Sequence, residues 1–209
     1  MRKTVGRLMR AITTSRVNYI LSYWVDLACA LAMAIFGSLR TTGWQSPLLS
    51  LAAGALLFTL IEYFTHRWFF HERGKFASTI HRRHHERPAD PTALPFFSSP
   101  LAAATGFCVF APLIGTETFC FLMSGVLTGY LYYSVIHHLQ HSVRASSVGA
   151  RWLAKRWALH ASHHARPNIN YGVTTSLWDH AFGTYYLPRK RATFSRAAAA
   201  SRVSGASAP

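Results

Sequence analysis

The chain has 209 residues, half of them hydrophobic and only 14% charged, with a formal net charge of +15. A soluble domain carries about 25% charged residues, so this composition disfavours an ordinary soluble fold, and the length suits one domain. The placement of the basic residues decides between a nucleic-acid binder and a membrane protein with one basic face.

Residues 1–18 read as a short basic segment holding Arg2, Lys3, Arg7, Arg10 and Arg16. A first apolar stretch, 19–39, is long enough to cross a bilayer, which takes roughly 20 residues. Asp26 alone interrupts it. It is no signal peptide, because the apolar core is too long and no convincing cleavage site follows. A second apolar stretch covers 47–64. A third, 96–115, and a fourth, 118–136, are separated only by "TE" and should pair as a hairpin. Its turn sits at the far surface, or the pair is re-entrant. Residues 192–209, rich in Ala and Ser, read as a disordered tail. The expected fold is all-α: an integral membrane domain over 19–191, with about four transmembrane helices in two hairpins.

With four spans, 21 of the 22 Lys and Arg residues fall on one side, and only Arg40 on the other. The positive-inside rule makes that side the cytoplasm and places both termini there. The membrane layout therefore uses the charge fully, and no nucleic-acid partner is expected. The basic face also suits anionic headgroups. Cys29, Cys108 and Cys120 lie scattered in apolar stretches, have no CxxC spacing, and read as small hydrophobes.

All twelve histidines fall on the cytoplasmic side. On a helix, residues three and four apart share a face. His81, His84 and His85 have that spacing, as do His160, His163 and His164, so each trio can present three imidazoles to one point. His137 and His141 form an i, i+4 pair. His66 and His71, in "HRWFFH", are five apart and share no face on a straight helix, so one of them should lie at a helix end or a bend. Neutral imidazole suits Zn, Cu, Fe and Ni. Ten clustered histidines exceed the need of one ion and match two. His138 points away from the His137–His141 pair, and His180 stands alone in "WDHAFGT"; both read as structural or as outer hydrogen-bonding partners. Glu62, one turn before His66, can orient that imidazole, or it is a solvated helix-end acid. Glu72, Glu86, Asp90 and Asp179 are further acceptors for ligand N–H groups. The Glu-x-x-His motif of carboxylate-bridged centres is absent.

An all-histidine pair of sites at a membrane surface allows zinc hydrolysis. Iron offers more: two ferrous ions can reduce O2 and leave an oxidant able to take hydrogen from an unactivated C–H bond, as lipid chains present. The outcome is an alcohol or, after loss of a second hydrogen, an alkene. The protein's part is to position the chain and exclude water.

The order "EYFTHRWFFH", "HRRHHERPADP", "HHLQH", "HASHH" and "NYGVTTSLWDHAFGT" resembles the fatty acid hydroxylase / sterol desaturase superfamily, and within it most closely the fatty acid 2-hydroxylases. The resemblance runs from about residue 60 to 184. It implies a membrane-embedded helical fold with a dimetal centre under a cytosolic cap. It also implies two iron ions, O2 and electrons from a separate carrier protein. The family's ligand pattern falls on His66, His71, His81, His84, His85, His137, His141, His160, His163 and His164. Asn168, Asn170, Tyr171 and Asp179 match the family's last motif and would shape the mouth of the site. Zinc can replace iron in a purified sample, because imidazole sites bind it well.

The chain departs from the eukaryotic pattern in three ways. No haem carrier domain precedes the first span, the gap from His71 to His81 is short, which reduces the cap, and no ER-retrieval signal ends the chain. With the Ala- and Arg-rich composition, these points favour a bacterial inner-membrane enzyme acting on a lipid acyl chain, with C2 as the expected carbon. The family also holds desaturases and hydroxylases of other lipids. Two rivals come from other classes: an acyltransferase using His85 and Asp90, at the His-x4-Asp spacing, and a non-catalytic metal-binding or transport protein. The first leaves nine clustered histidines unused. The second should hold its ligands near the bilayer midplane.

Overall fold

The computed structural model describes residues 2–41, 43–71, 76–143 and 151–187. Among them every regular element is helical: α1 (Arg2–Thr13), α2 (Arg16–Ser38), α3 (Gln45–Phe64), a π turn (Thr65–Phe70), α4 (Phe76–Glu86), α5 (Ser98–Ile114), α6 (Thr116–Ser142), α7 (Arg151–Ala165) and α8 (Leu177–Ala181). The basic N-terminal segment is thus largely a helix, and the first long helix starts three residues earlier than the apolar run suggests. Ser15 explains that start, since its side chain caps the helix by accepting from the Asn18 N–H. The expected tail, 192–209, and Glu72 lie outside the described residues.

Three helices are long and apolar enough to cross a membrane: Arg16–Ser38, Gln45–Phe70 and Thr116–Ser142. Large apolar side chains on them, including Ile20, Trp24, Leu31, Ile35, Leu49 and Leu56, remain exposed, as lipid-facing residues must be. Helix α5 is apolar but has only 17 residues. At 1.5 Å per residue it reaches about 26 Å, short of a hydrocarbon core of about 30 Å. It ends at Gly115, whose φ of +88° turns the chain directly into α6. The hairpin turn is this one glycine, and Thr116 and Glu117 already belong to α6.

The helices alternate in direction. Asn18 at the start of α2 donates to the Leu94 carbonyl at 3.0 Å and accepts from the Phe96 N–H at 2.9 Å, just before α5 begins. At the opposite end, a Cβ on Gly37 of α2 would meet Phe121 near the start of α6 at 3.0 Å. Helices α3 and α6 pack with their backbones in contact. A Cβ on Gly54 would stand 2.0 Å from the Leu122 carbonyl oxygen, and one on Gly125 would stand 2.2 Å from that of Leu51. Small residues permit such an approach where no hydrophobic force drives helices together. Asp26, the charge inside the first span, is buried, as is Ser99 of α5. Phe119, Cys120 and Ala111 form the core of the α5–α6 hairpin, with Met33, Phe36, Phe107 and Met123 packed around them. All three cysteines are free thiols.

This topology brings the C-terminal ends of α3 and α6 to one end of the bundle. There α4 and α7 join them and carry the remaining clustered histidines.

Candidate metal centre

The π turn after α3 resolves the five-residue spacing of His66 and His71. Its i→i+5 hydrogen bonding widens the turn, and the two imidazoles stack with centroids 5.2 Å apart. His66 lies inside the turn and His71 just beyond it.

Ten histidines assemble into two groups of five. His66, His71, His81, His85 and His163 form the first; His84, His137, His141, His160 and His164 form the second. Within each group one ring nitrogen from every member lies within 4.8 Å of all the others. The helical trios therefore do not each serve one point. His81 and His85 turn to the first group while His84 turns to the second, and His163 separates from His160 and His164 in the same way. The groups adjoin, with His85 and His164 stacked at 4.3 Å.

Hydrogen bonds set which nitrogens carry protons. His66 Nδ1 donates to the Tyr171 carbonyl at 2.6 Å, and His163 Nδ1 donates to the Ile169 carbonyl at 2.8 Å. Each Nε2 is then a lone pair aimed inward. His81 Nε2 has three Nε2 neighbours, of His85, His66 and His71, at 2.9, 3.0 and 3.1 Å. One ring nitrogen has either one proton or one lone pair, so hydrogen bonding cannot satisfy all three contacts. In the second group His84 Nδ1 and Nε2, His160 Nδ1 and His164 Nε2 are buried without a partner. Converging lone pairs and orphaned nitrogens are what a cation relieves. With metal–nitrogen bonds of about 2.0–2.1 Å, donors across one ion stand about 4 Å apart, close to the spread observed. The donor set thus fits one ion per group.

The imidazoles are held neutral. Burial, followed by the repulsion of neighbouring imidazoles, lowers His71 to about 4 and His84 to about 2. Burial likewise lowers His163 and His164 to about 3, and His81, His85 and His160 also move down. At neutral pH their lone pairs are free to bind a metal.

The loop after α7 fixes the first group from behind. Glu62 is buried, and its carboxylate does not reach His66. It accepts from the backbone N–H groups of Val173 (2.5 Å) and Thr174 (3.1 Å) and from the Thr174 hydroxyl. Arg156, also buried, donates to the carbonyls of Gly172 (2.6 Å) and Val173 (2.7 Å). Asp179 accepts from the N–H groups of Tyr171 (2.8 Å) and Gly172 (2.9 Å). Two acids and one base thus grip the segment whose Tyr171 carbonyl orients His66. The "NYG" motif has its own reasons. Asn170 sits at φ +52°, a region asparagine tolerates, and its side chain bonds both the N–H and the carbonyl of Tyr186. A Cβ on Gly172 would lie 2.0 Å from the Thr175 carbonyl oxygen. Asn168 is exposed and shapes no buried wall.

The remaining candidates lie apart from both groups. His180 is exposed and stacks on Tyr185 at 3.8 Å. His138 bonds Tyr19 at 2.9 Å. Glu86 is exposed. Asp90 pairs with Arg83 at 3.4 Å, while His85 lies among the histidines, so the acyltransferase pairing of His85 with Asp90 is not formed. Sequence reasoning missed Arg156, which looked like one of many basic surface residues.

A cavity of about 300 Å³ opens beside the histidines. His81, His84, His137 and His141 form part of its wall, and Phe70, Ile80, Leu94, Pro95, Tyr130 and Tyr133 make much of the rest. That volume is at the lower bound for a small-molecule site.

A helical membrane protein with paired five-histidine groups at one end of its spans is the class that fold and site define. A family model described as fatty acid hydroxylase matches residues 51–184. The dihydroceramide fatty acyl 2-hydroxylase FAH2 of Arabidopsis thaliana is 32% identical over 175 residues, which cover 77% of this chain and 70% of that protein. The fatty acid 2-hydroxylase of Rattus norvegicus is 28% identical over 186 residues, covering 84% of this chain but 46% of its own length. Among solved structures, full-length scs7p, with only its hydroxylase domain visible, superposes with a TM-score of 0.66 at 24% identity. The match covers 84% of this chain and 68% of that one, and it shows the same fold. The chain belongs to the fatty acid hydroxylase family, a family of oxidoreductases.

Proposed function

We propose that this chain is a membrane-bound non-haem di-iron oxygenase that hydroxylates a lipid acyl chain, at C2, with O2 and two electrons from a separate carrier protein. The observation that carries the reading is the pair of five-imidazole groups beside a largely apolar cavity. Five neutral ligands per group exceed the four of a structural zinc site and suit an ion of higher coordination number such as iron. Bound iron would supply O2 reduction and the oxidant for C–H cleavage. The chain's own residues do the rest. His66 and His163, tied to the carbonyls of Tyr171 and Ile169, hold the first group's geometry. His84, His137 and His141 face the cavity, so the second group adjoins the space for the acyl chain. Phe70, Ile80 and Leu94 give that space an apolar wall.

The relatives' names support hydroxylation over desaturation and a lipid acyl chain over other substrates. A transporter is disfavoured because the histidines gather at the ends of the spans. The basic bias of the histidine side supports a cytoplasmic site; the proposal takes α5 as a short fourth span and a bacterial inner membrane as the setting.

Mass spectrometry of lipids from cells with and without the gene tests the reading. A hydroxylated acyl chain should appear only with the gene. His163→Ala and His84→Ala should each abolish product and each lower metal content by about one ion per chain, since they belong to different groups. Full product from either variant refutes the ligand assignment.

A further inference from the structure

A relay of polar groups crosses the cavity wall beside the second histidine group. Tyr19 Oη lies 2.9 Å from His138 Nδ1 and 3.0 Å from Tyr23 Oη, and Tyr23 donates to the Ser134 carbonyl at 3.0 Å. Counting protons fixes its direction. The single Tyr23 proton goes to the carbonyl, which can only accept. The Tyr19–Tyr23 contact must then take its proton from Tyr19, and the Tyr19–His138 contact takes one from His138 Nδ1. Each contact holds one proton in that order and in no other. His138 Nε2 is left at the head of the relay, on an exposed residue. Tyr19, Tyr23, Ser134 and His138 all line the cavity.

The position of this polar group matters. Along α6, His138 stands between His137 and His141, within about 4.5 Å of axial rise from either. The cavity runs back along α6 from Ser142 to Tyr130, roughly 18 Å of helix, towards the apolar side chains of Leu94 and Pro95. A lipid with its polar head at the relay and its tail along that wall has only its first few carbons level with the second histidine group.

We propose that Tyr19 and His138 form the anchor for the substrate's polar head, and that this anchor selects the carbon that reacts. The proposal rests on the acyl-chain hydroxylase reading for its chemistry, but the anchor is a binding site in its own right. A mere staple between α2 and α6 would stabilise the fold and leave product position unchanged.

The test uses the full chain, purified in detergent, with Tyr19→Phe and His138→Leu. Doxyl-labelled stearic acid and doxyl-labelled N-methylstearamide are titrated by electron paramagnetic resonance, and positional isomers of the hydroxylated acyl chain are read by gas chromatography–mass spectrometry of lipids from cells that express the parent or each variant and supply O2 and the electron carrier. Both variants should bind at least one probe tenfold more weakly and spread the hydroxyl over neighbouring carbons, with parental metal content and melting temperature. The proton order leaves His138 Nε2 as an acceptor, so the parent should prefer the amide N–H; tighter binding of the ionised stearic acid overturns that order. Parental binding together with one unchanged isomer overturns the anchor. Weaker binding with an unchanged isomer overturns its part in choosing the carbon. Weaker binding in the variants, with no hydroxylated product even from the parent, upholds the anchor and overturns the hydroxylase reading. Tyr19→Phe removes a single hydroxyl group, and it decides alone should His138→Leu fail to fold.

Discussion

Replacing Glu62 by alanine tests whether the loop around Tyr171 sets the first histidine group. The carboxylate accepts three hydrogen bonds, from the N–H groups of Val173 and Thr174 and from the Thr174 hydroxyl. Glu62 is only 7% exposed, so water does not take its place. The hydroxyl can rotate to another acceptor; the two backbone donors cannot. An orphaned buried donor costs about 1–3 kcal/mol, which sets the local loss at about 2–6 kcal/mol. Arg156 loses its opposing charge at the same time. The damage falls on the segment that presents the Tyr171 carbonyl to His66, and an outer partner of a metal-bound histidine is worth about 10–100-fold in metal affinity. Glu62→Ala should therefore release the first group's metal at a 10–100-fold lower chelator concentration, while the second group keeps its own. Glu62→Gln retains an oxygen for the two N–H groups and turns its amide towards the Thr174 hydroxyl, so its loss should be smaller. Metal per chain, measured by plasma mass spectrometry after dialysis against graded chelator, reads both variants. Parental retention of both metals in Glu62→Ala would refute the argument that this carboxylate holds the site.

Two further substitutions separate packing from the site. Gly125→Leu places a side chain where even a Cβ would stand 2.2 Å from the Leu51 carbonyl oxygen, so α3 and α6 must part; the variant should lose its monodisperse peak in detergent size-exclusion chromatography, and a parental peak would contradict the close packing. His180→Ala removes an exposed ring stacked on Tyr185; metal content should be unchanged and product formation within about twofold of the parent, in line with the small effect usual for surface substitutions, and a loss as deep as that of His163→Ala would contradict its place outside the centre.

Much of the centre was legible because helical spacing is a strong local signal. The i, i+3, i+4 trios and the i, i+4 pair named residues that do converge, and the five-residue gap between His66 and His71 called for a bend that the π turn supplies. The division of each trio between two groups was not legible. Spacing says which residues share a helix face; it does not say that two centres lie side by side across that face. Glu62 was noticed for its distance in sequence from His66, yet its partners lie more than a hundred residues away, and long-range pairing leaves no local trace. Arg156 was hidden for another reason. A buried guanidinium on backbone carbonyls and a solvated one on a basic face read alike in sequence. The third apolar run was legible as a helix, but its length was overstated because Phe96 and Phe97 are apolar yet precede the helix, and Gly115 ends it.

The placement of acids around this centre explains how an all-imidazole site can hold cations without a carboxylate ligand. Neutral ligands leave an ion's charge uncompensated, and an isolated charge in a buried site is costly. Here the compensating groups stand one layer out. Glu62 and Asp179 are both buried, and both spread their charge through the 171–174 backbone rather than onto an imidazole. That backbone carries the carbonyl which accepts from His66 Nδ1, so the acids favour a cation through an oriented peptide dipole and through the basicity it lends the ring. Arg156 donates to the carbonyls of Gly172 and Val173 in the same segment, and its positive charge offsets those of the two carboxylates there. The arrangement leaves the histidines free of anionic competitors and faces the second group with the apolar cavity, which is what binding a lipid chain beside two cations requires.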